Sequence, residues 1–240
     1  MTRHEAIKFV VIRTIGNFLL LFSLYGVIAT FGPAFTHEAR FRVAQARGIN
    51  FRVQEPVVHD ISSGVDTQPT VTPAPQSPGF GEILAGSTEQ ILVPPDTDFS
   101  IVIPKIGATA KVYANIDPTN EGEFLNILQQ GVAHAKGSVF PGLPGNTYLF
   151  AHSTDNWWNV GRYNAIFYLL KDLSVGDDIE IFFEGRRHAY VVTDSLIADP
   201  TEVDFLVNSQ QSDEEKLIMQ TCWPPGTTWK RLFVIAKPKS

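Results

Sequence analysis

The chain carries two unlike apolar patterns. Residues 14–36 form one unbroken stretch of 23 uncharged positions rich in Leu, Phe, Ile and Val. A helix of about 20 residues crosses a bilayer core, so this stretch predicts a transmembrane helix. Its length argues for a retained anchor over the shorter apolar region of a cleaved signal peptide. From residue 96 onward the apolar positions come in short runs bounded by Gly, Pro, Asn and Asp, the pattern of strands joined by turns. Residues 100–106 (S-I-V-I-P-K-I) predict a strand in which Pro104 marks an edge or a bulge. Further strands are predicted at 111–115, 146–151, 217–221 and 232–237, with a hairpin of 179–183 and 188–193 turning through Glu184, Gly185 and Arg186. A short helix starts at Thr119 or Asn120, places Phe124, Ile127 and Leu128 at helical spacing and ends at Gly131; a second is predicted over 164–170. Some seven or eight short strands with only small helices predict a mainly β fold, a mostly antiparallel barrel.

The region between the two patterns has its own character. Residues 37–48 are charged and predict a short juxtamembrane helix. Residues 54–81 hold five prolines, many Ser and Thr and few large apolar side chains. Such a segment cannot bury enough surface to offset chain entropy, so it predicts a disordered stalk. The expected division is a cytoplasmic N-terminus at 1–13, the anchor at 14–36, a juxtamembrane segment and Pro-rich stalk at 37–95, and a folded domain at 96–240. Arg3, Lys8 and Arg13 precede the span and Arg40, Arg42, Arg47 and Arg52 follow it, so charge alone leaves the orientation open.

Composition narrows the chemistry. A formal net charge of −6 without a basic patch argues against nucleic acid as a partner. The single cysteine, Cys222, excludes an intramolecular disulfide and a cysteine-based zinc site. It ends one apolar run, Arg231 opens the next, and the turn-rich 224–228 segment lies between them. A thiol and a guanidinium at one sheet edge suggest a nucleophile with an anion stabiliser. The plain alternatives are a small buried core cysteine and an arginine on a solvated strand start. A cysteine nucleophile needs a partner that makes or stabilises its thiolate. His4, His37 and His59 lie outside the folded domain, and His188 sits inside a strand. His152 directly follows an apolar strand and is the preferred partner; His134, in a Gly/Pro loop, is the second candidate, as a lining residue. Either could instead be a hydrogen-bonded loop histidine.

The block M-Q-T-C-W-P-P-G-T-T-W-K-R-L-F-V-I-A at 219–236 resembles the active-site region of sortases, whose pattern is an apolar residue, any residue, Thr-Cys, a variable loop, then Arg and an apolar strand. G-N-T-Y-L-F-A-H at 145–152 resembles the family's histidine strand, I-V-I-P-K-I-G at 101–107 its first strand, and 131–146 and 167–181 its intervening sections. The resemblance covers about residues 96–240, with the motifs in the family's order. Departures are Met219 for the usual Leu, Ile218 for the usual Thr, and Ala151 for the usual Gly before the histidine.

The resemblance implies a closed β-barrel of about eight strands and a membrane-anchored cysteine transpeptidase on the extracytoplasmic face. Its substrate would be a surface protein with a Leu-Pro-x-Thr-Gly type sorting signal. Cys222, His152 and Arg231 would be catalytic, with Thr221, His134, Asp155, Trp157 and Trp158 about the substrate. The acceptor would be an amine of a cell-wall precursor or a pilin lysine, and no cofactor is expected. The alternative is a surface-anchored module of the same fold that only binds or that hydrolyses.

Overall fold

The computed structural model describes residues 3–54, 89–153, 166–201, 213–225 and 227–239. It opens with one helix of 44 residues, α1 (Arg3–Ala46). Among the described residues, the stretch long and apolar enough to cross a membrane is Arg3–Ala29. The expected span at 14–36 overlaps it and lies wholly within α1.

Eight strands close into a barrel: β3 (Phe99–Ile103), β4 (Ala108–Ile116), β5 (Val132–Ala135), β6 (Asn146–Phe150), β7 (Asp178–Phe183), β8 (Arg186–Ala198), β9 (Lys216–Trp223) and β10 (Lys230–Pro238). Around the barrel the order is β10-β8-β7-β3-β4-β5-β6-β9, and β9 pairs back to β10. Most neighbours are antiparallel, as expected; β4 with β5 and β6 with β9 are parallel. Alternation along the strands sends Ile101, Ile103, Leu149, Ile179, Ile181, Leu217, Met219 and Val234 into one buried core. The hairpin between β7 and β8 turns through Glu184 and Gly185, both at positive φ (49° and 75°), the conformation that suits a tight turn to strand twist. Asp96 closes the entry to β3 by accepting from the Phe99 and Asp98 N–H groups at 2.9 and 3.1 Å. The short helix α2 (Glu121–Leu128) is capped by Asn120, whose side chain accepts from the Glu123 N–H.

Two local expectations change. Pro104 makes no edge or bulge: it begins a 3-10 turn, Pro104–Ile106, that ends at Gly107. The missing ladder donor of proline is harmless there. The helix expected at 164–170 is, in its described part, a 3-10 helix at Tyr168–Asp172.

The end of α1 does not hang free of the barrel. Phe41 is 5% exposed and belongs to the barrel's own core. Beside it the Lys171 ammonium donates to Glu38 at 2.9 Å, and the Arg42 guanidinium donates to Asp172 at 3.3 Å and to Glu38 at 2.8 Å. Next, β1 (Asn50–Val53) pairs in parallel with β2 (Glu89–Leu92). The Phe51 ring lies against Gly107, where a Cβ would meet it at 2.9 Å. A cavity of about 640 Å³ remains between these elements, lined by Phe41, Val43, Phe51, Ile106 and Leu169. So the described parts of the expected stalk region are helix and strand packed on the barrel. The Pro-rich stretch at 55–88 lies outside the described residues.

Phe41 should therefore hold this segment down. Truncating a buried phenylalanine costs about 3–5 kcal/mol, and hydrogen exchange follows local stability. In the full chain in detergent, Phe41→Ala should speed exchange over residues 38–53 by about a hundredfold or more, with β3 and β7 still protected. Unchanged exchange there would mean that the side chain does not fasten the helix end.

Candidate active site

The site forms where β6, β9 and β10 run side by side. β9 and β10 are antiparallel, and their register sets Cys222 directly opposite Arg231. Opposed residues of an antiparallel pair share a face, with Cβ atoms about 4.5–5.5 Å apart. β6 and β9 are parallel, in a register from Asn146 beside Lys216 to Phe150 beside Gln220. The pairing continues past the end of β6: the Ala151 N–H donates to the Gln220 carbonyl at 3.2 Å, and the Thr221 hydroxyl donates to the Ala151 carbonyl at 3.0 Å, a bond between residues 70 apart. His152 follows one residue later, just past the end of β6.

Alternation then separates two faces. Leu217, Met219 and Thr221 point into the barrel and are at most 2% exposed. Gln220 and Cys222 point outward, with Phe233 and Arg231 across from them on β10 and Tyr148 and Phe150 on β6. The outer wall at this edge thus collects the thiol and the guanidinium, with Gln220 two residues before Cys222 and bonded to Tyr148, and His152 following just past the end of β6.

Cys222 is half-buried, and its thiol is free. Burial pushes the thiol pKa above its ordinary value, and the positive charge of Arg231 pulls in the opposite direction. The resting group at neutral pH is therefore the thiol, with a cation at hand to favour the thiolate. The guanidinium is itself braced: one nitrogen, Nη1, donates to the carbonyls of Thr228 and Lys230 at 3.1 and 3.2 Å. These bonds use Nη1 alone, and five donors in a rigid fork leave Nε and Nη2 for a second task. Trp229, 75% exposed, stands on the rim of the same loop.

His134 is a correction. It does not line this edge but lies on β5, fully buried, across from Leu149 of the interior face. Its Nδ1 accepts from the Asn115 N–H at 3.3 Å, and its Nε2–H faces the Val139 carbonyl at 3.1 Å. Its ring stacks on Phe140 at 4.7 Å. Burial pushes its pKa below the ordinary histidine value, with the Val139 contact opposing; it is a neutral core residue. Asp155, Trp157 and Trp158 lie outside the described residues.

Two polar groups at this edge escaped the sequence reading. The Tyr148 hydroxyl donates to the Gln220 side-chain oxygen. Burial raises the pKa of Tyr148, and the nearby Arg231 charge works against that rise. Counting back along the same strand face, four residues from His152 and two from Cys222, would have found both residues.

As the only cysteine, Cys222 can be titrated by alkylation alone. The rate constant with iodoacetamide should rise with pH along a curve displaced above that of a free cysteine. Arg231→Ala removes the charge that holds the thiol down, so its curve should move further up, and alkylation at pH 8 should slow by about three- to tenfold. A curve that stays put or moves down would mean that Arg231 does not act on this thiol.

Residues 101–239 match the model of the Sortase domain. Sortase D of Bacillus subtilis is 26% identical over 138 residues, which is 56% of this chain and 60% of that protein; the chain thus spans less than two thirds of this relative's length. Among solved structures, sortase C-1 of Actinomyces oris aligns with a TM-score of 0.51 at 26% identity, covering 61% of this chain and 76% of the other. Sortase A of Corynebacterium diphtheriae aligns with a TM-score of 0.50 at 25% identity, covering 60% of each chain. With its family model matched over more than half of its length and the same barrel in these structures, the chain belongs to the sortase family.

Proposed function

We propose that the protein is a membrane-anchored cysteine transpeptidase that cleaves a C-terminal sorting signal of the Leu-Pro-x-Thr-Gly type. The observation that supports the reading is the pairing at one edge: Arg231 opposite Cys222 on β10, and β6, which leads into His152, parallel to β9 on its other side. Family membership supports the reaction class.

The steps follow from the groups. Substrate enters over the outer wall, and His152 takes the proton of the Cys222 thiol, overcoming the upward push of burial. The sulfur attacks the Thr carbonyl carbon of the signal and forms a tetrahedral oxyanion. Arg231, with Nη1 fixed by its own loop, offers its other N–H groups to that charge. The C–N bond to Gly breaks as His152 returns the proton to the leaving amine, and a thioacyl-enzyme remains. The acceptor amine then attacks the thioester; His152 takes its proton, the C–S bond breaks, and the thiol is restored. Thr221 acts from behind, where its hydroxyl clamps the end of β6 to β9. The acceptor is an amine of a cell-wall precursor or a pilin lysine. The apolar α1 anchors the enzyme with its catalytic domain on the extracytoplasmic face, where tethering raises the effective concentration of two membrane-held substrates.

Mass spectrometry of the full chain with a library of signal peptides should find one thioacyl adduct, on Cys222, that disappears when a competent amine is added. Cell-wall-type amines and pilin lysine peptides, offered separately, distinguish the acceptors. Cys222→Ala should abolish both adduct and transfer; transfer that persists would sink the mechanism.

Arg231→Ala should lower turnover by about 10²–10³-fold while changing unfolding free energy by no more than about 1 kcal/mol. Equal losses of stability and turnover would assign the residue a structural role instead.

A further inference from the structure

Gln220 is a polar interruption in an otherwise apolar strand, L-I-M-Q-T-C, at a half-buried position on the outer wall. An amide placed there loses water and needs partners. Its oxygen has one, the hydroxyl of Tyr148. Tyr148 is directly beside Ile218 on the neighbouring strand and packs between the Phe150 ring, at 6.2 Å, and the outer cluster of Ile218 and Phe233. Its hydroxyl is therefore delivered to a fixed point. With the oxygen pinned, the amide plane is set, and its two N–H donors are turned away from Tyr148. Among the described residues, nothing accepts from them.

The location gives these donors a purpose. Gln220 and Cys222 point the same way from one strand, two residues or about 6.8 Å apart. An extended peptide lying along this wall advances by about the same distance in two residues. A carbonyl two residues from the one that reacts with Cys222 then falls over the Gln220 amide. We propose that Gln220 is a donor-substrate-binding residue, giving a hydrogen bond from its side-chain N–H to a backbone carbonyl of the acyl-donor peptide, and that Tyr148 is the positioning residue that holds the amide in the orientation to do so. The inference rests on the transpeptidase reading above and adds to it where the donor is gripped.

The two residues act in series, which makes the idea separable from a simple packing role. The measurement is steady-state transfer by the full chain in detergent. The donor is the Leu-Pro-x-Thr-Gly type peptide that acylates Cys222 fastest, and hydroxylamine is the acceptor. Gln220→Met keeps length and volume and removes the donor; it should raise the donor KM by about two- to tenfold, the worth of one hydrogen bond, with kcat within about twofold and the hydroxylamine KM unchanged. Tyr148→Phe removes only the hydroxyl and should shift the donor KM in the same direction by a smaller factor. The double variant should be no worse than Gln220→Met alone, because Tyr148 works through Gln220. An unchanged donor KM in Gln220→Met overturns the inference. So does additivity in the double variant, or an effect confined to kcat or to the hydroxylamine KM. Should Gln220→Met fail to fold, Tyr148→Phe decides alone: a normal donor KM overturns the pairing. If the unmodified protein forms no thioacyl adduct at all, the transpeptidase reading falls first, and that outcome is visible before any variant is made.

Discussion

The site depends on a parallel strand pair. β6 and β9 are far apart in the chain and separated by the β7–β8 hairpin, yet their register is locked residue for residue. At the working end two hydrogen bonds hold the lock, one from the Ala151 N–H and one from the Thr221 hydroxyl. Side chains alternate with a period of two, so a slip of one residue would turn Cys222 into the barrel and Thr221 out of it. Thr221 suits its place because it satisfies both demands: its side chain faces the interior, and its hydroxyl is used up by a carbonyl that would otherwise be unpaired at the strand's end.

The same alternation explains how one strand serves two purposes. The interior residues Leu217 and Met219 contribute to the core and are bound by packing. On the exterior face Ile218 packs into a separate small cluster, while Gln220 and Cys222 further along stay partly exposed, so a thiol and an amide can appear there without opening the core. Arg231 benefits likewise. It opens β10 opposite Cys222, and its loop carbonyls brace it, so its charge acts on the thiol and on Tyr148 from a defined position. The thiol is thereby poised between two opposed effects, burial that keeps it protonated and a cation that favours its ionised form. A free cysteine that rests as a thiol is also less prone to oxidation than a standing thiolate.

Much of this was legible in the chain, for local reasons. Tight turns, proline and glycine punctuation and short apolar runs marked most barrel strands, and Thr119 or Asn120 marked the start of α2, where Asn120 is the cap. Cys222 and Arg231 were found because a strand, a loop and a strand are contiguous in sequence. His134 was misplaced because V-A-H-A is too short and too Ala-rich to announce a strand. Its burial comes from pairing with β4 on one side and β6 on the other, which no local pattern contains. Tyr148 and Gln220 were overlooked for a related reason: each looks like ordinary strand filler until the parallel register places them together. The docked end of α1 was invisible for the same cause, since Phe41 finds its partners across the barrel and its neighbouring charges find theirs at Lys171 and Asp172.

That docking bears on how such an enzyme would work at a membrane. A barrel on a long loose stalk would sample every orientation, and its outer wall would meet tethered substrates only part of the time. Here the helix that carries the apolar stretch continues without interruption to Ala46 and is fastened to the barrel by a buried ring and a group of four charges. Charge pairs at this level of exposure stabilise only weakly one by one, so the ring provides the hold and the charges select the rotation about it. The end of α1 is thereby joined to the same barrel that bears Cys222. Under the proposed membrane-anchored transpeptidase, that junction would add orientation to the proximity that tethering provides.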